Sequence, residues 1–188
     1  MCPQPPSQAS RVSSRRRLLK VLAAVAAGAA VAPARLFAGS RDPREVAFFH
    51  THTRERLSVT YFADGSYDAE SLAALDRFLR DHRTGDQHPI DPALFDILHD
   101  LRVATGAASP FQVVSGYRSP HTNGMLRDRS SGVASGSLHV QGRAIDVRLA
   151  DVSSAALRDA AVRLRRGGVG YYAASDFVHI DTGRFRTW

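Results

Sequence analysis

Cysteine is nearly absent from this 188-residue chain: the single thiol is Cys2. A mature protein that loses its first residues has none. It then has no disulfide, even in an oxidising compartment, and no thiol nucleophile. Repeats, coiled-coil heptads and low-complexity tracts are also missing after the leader. The longest apolar run, VLAAVAAGAAVA from Val21 to Ala32, has twelve residues. That is too short to span a bilayer comfortably.

A basic excess is missing too, although the formal net charge of +7 and the pI near 10.4 imply one at first sight. Residues 1–38 hold six of the 25 basic residues and none of the 18 acidic ones, so the remainder carries 19 basic and 18 acidic residues. The charge therefore belongs to the leader. It is poor support for a nucleic-acid partner, which needs a basic patch on the folded domain. Arg163, Arg165 and Arg166 form the one local cluster and read as a solvated helix face.

The leader itself is informative. SSRRRLLK (Ser13 to Lys20) precedes the short apolar run, and small residues follow, with cleavage expected after Ala34 or Ala38. Consecutive arginines before a modest apolar core resemble a twin-arginine signal, which exports folded proteins. An ordinary signal peptide with a basic start and an uncleaved anchor are the competing readings. The expected organisation is a signal over residues 1–38 and one domain over 39–188. About 150 residues suffice for a single hydrophobic core.

Within that domain, VAFFHTHTRERLSVTYF (residues 46–62) reads as two β-prone segments around a polar turn, and Asp64-Gly65 supplies another. Asp68 is placed to cap a helix with apolar Leu72, Leu75, Phe78 and Leu79. A second helix is expected over Ala93–Ala104, on Leu94, Ile97, Leu98 and Leu101. FQVVSGY (111–117), AIDVRL (144–149), Val169–Tyr172 and Phe177–Asp181 read as strands. SPHTN opens a short helix containing Met125 and Leu126, and Ser154–Arg166 has helical periodicity. The order favours an α+β domain with a largely antiparallel central sheet and flanking helices.

Three residues carry the chemistry. His139 and Asp146 lie in SLHVQGRAIDV, and His179 lies in DFVHIDTG. Two imidazoles and a carboxylate suit zinc, and catalytic zinc sites keep three protein ligands and one open position. The spacing is not the helical HExxH pattern. Taken alone, His-x6-Asp is equally a solvated histidine and a strand carboxylate. DFVH adds a third ligand and, in Asp176, a base for water activated by the metal. Arg118, at the end of a strand, is the candidate for stabilising a growing oxyanion. A structural ion pair for Arg118 and a plain loop carboxylate for Asp176 are the bland alternatives. Ser115, Tyr117, Ser119, Asn123, Ser137 and Asp181 are nearby residues able to support the site. His50 and His52 sit at strand spacing with no third ligand indicated. His82, His88 and His99 need no catalytic explanation.

SGYRSPHTN, SLHVQGRAIDVRL and GGVGYYAASDFVHIDTG together resemble the murein endopeptidase K family, over nearly all of residues 44–188. RDHRTGDQHPIDP adds to the likeness. That family lies in the zinc peptidase superfamily of the D-alanyl-D-alanine carboxypeptidases and the hedgehog amino-terminal domain. The resemblance implies a hedgehog/D,D-peptidase-like fold and one catalytic Zn²⁺ on His139, Asp146 and His179. It implies Asp176 as general base, where better-known members carry the longer glutamate, and Arg118 as stabiliser of substrate or transition state. It also implies a periplasmic enzyme that hydrolyses peptide cross-links of peptidoglycan. A peptidoglycan carboxypeptidase and a non-enzymatic hedgehog-like domain that binds cell-wall peptides remain the alternatives.

The leader gives the first test. Replacing Arg15, Arg16 and Arg17 by lysine is expected to block export while leaving the folded domain intact, as read by fractionation. Unchanged export through the general secretory route contradicts the pathway.

Overall fold

Strand β1 (Arg44–His50) alternates in burial, with Val46, Phe48 and His50 inward. The pattern is that of a strand with one face on a core. It pairs antiparallel with β2 (Arg56–Ala63), which turns at Asp64-Gly65 into the short β3 (Ser66–Tyr67). The remaining strands are β4 (Phe111–Ser115), β5 (Ala144–Arg148), β6 (Gly168–Tyr172), β7 (Phe177–Asp181) and β8 (Arg186–Thr187). The computed structural model describes residues 43–129 and 136–188. The signal expected over residues 1–38 lies outside the described residues. Among them, no helix is long and apolar enough to cross a membrane.

The eight strands form one sheet in the order β3-β2-β1-β4-β5-β7-β6-β8. The β1–β4 and β6–β8 pairs are parallel and all other pairs antiparallel, as the α+β expectation requires. The small strands β3 and β8 had no pattern long enough to read from sequence.

Helices α1 (Ala69–Phe78), α2 (Pro92–Thr105) and α4 (Ser154–Leu164) pack on one face. Each starts on a side-chain cap, from Asp68, Asp91 and Ser153. Pro92 opens α2, and Gly106 closes it in the left-handed region. Leu94, Leu98 and Leu101 of α2 meet Phe48, Phe111, Val147 and Val178 from the strands in one continuous core. Phe48 stacks on Phe78 with ring centroids 5.7 Å apart. The cluster Arg163, Arg165 and Arg166 is engaged in part: Arg166 pairs with Asp100, and Arg165 lies 4.1 Å over the Phe185 ring.

Two boundaries differ from the sequence reading. The first helix stops at Phe78, with Leu79 only its cap, and the strand expected over 111–117 stops at Ser115. One contact explains both. The Leu79 carbonyl accepts from Tyr117 N at 2.8 Å, and a Cβ on Gly116 would stand 2.6 Å from that same oxygen. Chain ends that are adjacent only in space terminate each other. α3 (Pro120–Arg129) follows directly and contains Met125 and Leu126.

The face opposite α4 carries Asp146 and Arg148 of β5, while Ile145 and Val147 point into the core. The helices thus supply stability on one side and leave the other side for chemistry. Leu98→Ala removes a fully buried side chain from the middle of α2. It is expected to cost about 2–5 kcal/mol in urea unfolding, by lost transfer energy and the cavity left behind.

Candidate metal centre

Asp146 and His179 are brought together by strand register. β5 and β7 are antiparallel neighbours, and these two residues are direct partners. Both side chains leave the same face, and Asp146 Oδ1 lies 2.9 Å from His179 Nδ1. His139 arrives from a 3₁₀ turn, Leu138–Gln141, closed by Gly142 at φ 64°. A Cβ at Gly142 would run into the Pro89 carbonyl and stand 2.8 Å from His88 Nδ1, so only glycine fits there. Three backbone bonds lock the link: Arg143 N to Leu138 O, Asp91 N to Gly142 O, and Thr182 N to Arg143 O, at 2.9, 2.9 and 3.0 Å.

The three electron-rich atoms converge. His139 Nε2 is 3.2 Å from Asp146 Oδ1 and 3.2 Å from His179 Nδ1. In a tetrahedron with bonds of about 2.0–2.1 Å, ligand atoms stand roughly 3.3 Å apart. All three residues are buried. The outer nitrogens have partners that fix which atom faces inward. His139 Nδ1 donates to Gly116 O at 2.8 Å, and His179 Nε2 donates to Asp181 Oδ2 at 3.1 Å. Once His179 gives up its inward proton, two imidazole lone pairs and a carboxylate oxygen face one point, a donor set for a cation. The donor set and spacing suit a single zinc ion.

Charges follow from that geometry. Burial alone would raise the Asp146 carboxyl, but His139 and His179 outweigh it and hold it far below the usual carboxylate range. Burial opposes a charged His179. Its hydrogen bonds to Asp146 and Asp181 win, and its pKa is pushed up to about 9. Asp181, fully buried, is likewise held low against burial by His179, Arg186 and the amides of Gly183 and Gly168. Gly183 N and Gly168 N donate at 2.8 and 3.0 Å, and Arg186 Nη2 at 2.7 Å.

Arg118 stands at the edge of the cluster. Its backbone N donates to His139 O at 3.2 Å, and its Nη2 reaches Ser115 Oγ at 3.3 Å and Asp146 Oδ2 at 3.5 Å. Asp146 therefore turns one oxygen to the cluster and the other to the guanidinium. Burial lowers the Arg118 pKa, and Asp146 opposes that fall.

Asp176 is placed differently. It occupies the left-handed region at φ 50° between a 3₁₀ turn and β7, three register positions before His179. Three strand steps are about 10 Å. Its carboxylate accepts from Ser154 Oγ at 2.7 Å and lies 3.8 Å from Arg148 Nη1. Among the described residues it is not one of those bonded to the three ligand atoms.

The supporting residues divide. Ser115 and Asp181 touch the site as described. Ser119 is held away from it by Asp81, and Tyr117 stacks on His88 with centroids 5.0 Å apart. Ser137 caps the 3₁₀ turn in sequence position only, with no side-chain bond. Asn123 is buried on α3. His50 is not part of this cluster: its Nδ1 accepts from the amides of His52 and Thr53, and His52 stacks on His82.

Sequence reasoning missed Asp81. This buried carboxylate accepts from Ser119 N at 2.9 Å and Ser119 Oγ at 2.8 Å, fixing the turn that carries Arg118. Burial would raise its pKa, but its donors lower it to about 2. Asp81 lies 38 residues before Ser119, so no local pattern joins them.

Fold and site define a class: an α+β domain with a His-Asp-His metal centre on the open face of its sheet. The family model "Peptidoglycan L,D-endopeptidase MepK" matches residues 38–188, and the chain belongs to that family. It is 43% identical over 180 residues to the peptidoglycan L,D-endopeptidase MepK of Escherichia coli K12, covering 95% of this chain and 99% of that protein. A probable peptidoglycan L,D-endopeptidase MepK of Haemophilus influenzae is 38% identical over 180 residues, covering 94% and 97%. Family and cluster together support a metal-dependent, peptidoglycan-cleaving hydrolase.

The purified domain is expected to hold one zinc per chain, and His139→Ala and His179→Ala each to lose most of it. Wild-type zinc content in both variants contradicts the ligand set. At pH 7 the metal-free His179 carries a proton, since its pKa is near 9. Zinc must displace that proton. Affinity is therefore expected to fall about tenfold per pH unit below 9 from this group. Calorimetry in buffers of different ionisation enthalpy is expected to read about one proton released at pH 7.

Proposed function

We propose that the chain hydrolyses an L,D peptide bond in the cross-links of peptidoglycan, with His139, Asp146 and His179 as the metal ligands. The observation that carries the reading is the convergence of three ligand atoms beside a fixed guanidinium, in a chain matched to the family over residues 38–188. Zinc bound there supplies a Lewis acid for the scissile carbonyl and lowers the pKa of water.

The chain's own residues do the rest. Arg118, tethered through Ser115 and Asp146, presents positive charge where the attacked carbonyl oxygen gains negative charge. Asp146 fixes that guanidinium and Asp181 fixes the His179 ring, so neither group has to reorganise as charge develops. Asp176 is the proton acceptor in this scheme. Its side chain is 65% exposed, with one oxygen on Ser154 and the other drawn by Arg148, and in this reading it turns from Ser154 toward the open face. It then returns the proton to the departing amine.

Family membership supports a periplasmic location. Residues 1–38 serve as the signal in this reading, through the twin-arginine route that Arg15 to Arg17 resemble. The substrate is the peptide part of the cell wall.

Digestion of purified cell wall, followed by product mass, tests the reaction. Release of monomers from cross-linked dimers is expected. Loss of a terminal residue alone would make the protein a carboxypeptidase, and no release at full zinc occupancy would make it a binding domain. Asp176→Asn is expected to keep zinc and lose about 10²- to 10⁴-fold in turnover. Arg118→Ala is expected to keep zinc and lose about 10²- to 10³-fold in single-turnover cleavage, with ground-state binding less affected. Near-normal turnover in either variant removes that residue from the scheme.

A further inference from the structure

The open face beside the metal centre carries an aromatic ledge that the chemistry above does not use. Gly170 of β6 is the register partner of His179. A Cβ on Gly170 would stand 2.7 Å from the Trp188 indole, so the ring lies flat over the glycine on the metal side of the sheet. The Trp188 and His179 ring centroids are 5.2 Å apart. Trp188 Nε1 donates to Tyr172 Oη at 3.1 Å, and Tyr172 stacks on Phe177 at 4.6 Å.

The ledge is fixed and yet exposed. Trp188 N donates to Val169 O at 3.3 Å, its carbonyl accepts from Tyr171 N at 3.0 Å, and the Arg186 guanidinium lies 4.8 Å over its ring. Even so, Trp188 is 51% and Tyr172 36% exposed, two of four large apolar side chains so exposed among the described residues. A rigid aromatic surface left open to water is a place for an apolar group to land.

We infer that Trp188, with Tyr172 beside it, is a substrate-positioning surface that takes the aliphatic side chain of the peptide residue next to the cut bond. The inference rests on the peptide-cutting reading above. Its occupant follows from distance. An extended peptide advances about 3.4 Å per residue, and neighbouring residues direct their side chains alternately. A ring one contact away from His179 therefore meets the first residue flanking the scissile bond. The sugar chain lies further along the stem. Arg186, already paired with Asp181, backs the ring rather than facing the peptide.

Trp188 is the sole tryptophan, so its fluorescence reports on the ledge alone. The zinc-loaded protein is titrated with cross-linked peptide stems freed of glycan, and separately with glycan strands stripped of peptide. A saturable change with the stems, and none with glycan, is expected. Trp188→Ala is expected to keep zinc and kcat while raising KM about three- to tenfold. Trp188→Phe should restore most of the affinity. Gly170→Ala, which pushes the indole off its seat without deleting it, should raise KM as well.

A response to glycan alone overturns the assignment. So does an unchanged KM in Trp188→Ala, or a fall in kcat with loss of zinc that Trp188→Phe repairs only through zinc content. Failure of the two readings is distinguishable. If the wild type cuts no cross-link but its fluorescence responds saturably to stems, the reaction is wrong and the ledge stands. If cleavage is normal and the fluorescence is silent to stems, the ledge alone is wrong.

Discussion

The register between β5 and β7 is the constraint on which the rest depends. It sets Asp146 opposite His179 and turns both toward the face opposite α4. A slip of one residue would bury a carboxylate and an imidazole in the core and expose Ile145, Val147, Val178 and Ile180. Those four apolar side chains are all essentially inaccessible and packed with Leu157 and Ala161 of α4. Hydrophobic burial on one face of the sheet therefore selects the ligand geometry on the other.

A second layer holds that geometry against its own repulsion. His139, Asp146 and His179 crowd three electron-rich atoms within about a ligand-to-ligand spacing. Each is anchored from behind, by the Gly116 carbonyl, by Arg118 and by Asp181. Asp181 is anchored in turn by two amides and Arg186, and the turn carrying Arg118 by Asp81. The glycines match this need for close approach. Gly116 lets Leu79 against the strand end, and Gly170 lets an indole lie over the sheet. Gly167 and Gly168 likewise leave no room for a side chain, since a Cβ on either would run into Asp181.

Much of this was legible in the chain. Alternation in AIDVRL assigned Asp146 to the face opposite Ile145 and Val147. Helical spacing gave α1, α2 and α4, and Asp68 reads as the cap of the first. The donor chemistry of His139, Asp146 and His179 pointed to one metal ion. The strand β8 and the Trp188 ledge were not legible, because two residues of strand and one aromatic carry no periodicity. Asp81 reads as the polar tail of a helix until its contact with Ser119 is known. Asp176, three residues before His179 in sequence, sits in the structure with Ser154 and Arg148, because it takes the left-handed region just ahead of β7.

By itself the sequence determined the class of the domain, the face each strand residue would take and the candidate ligand residues, since these follow from period, propensity and coordination chemistry. The tertiary structure alone decided which distant segments meet: the strand order, the Leu79 contact that ends both α1 and β4, the carboxylates behind Ser119 and His179, and the ring laid over Gly170. The reason is physical. Local patterns fix how a segment presents its side chains. Which segments face one another is set by burying a common core, a property of the whole chain that no short stretch encodes.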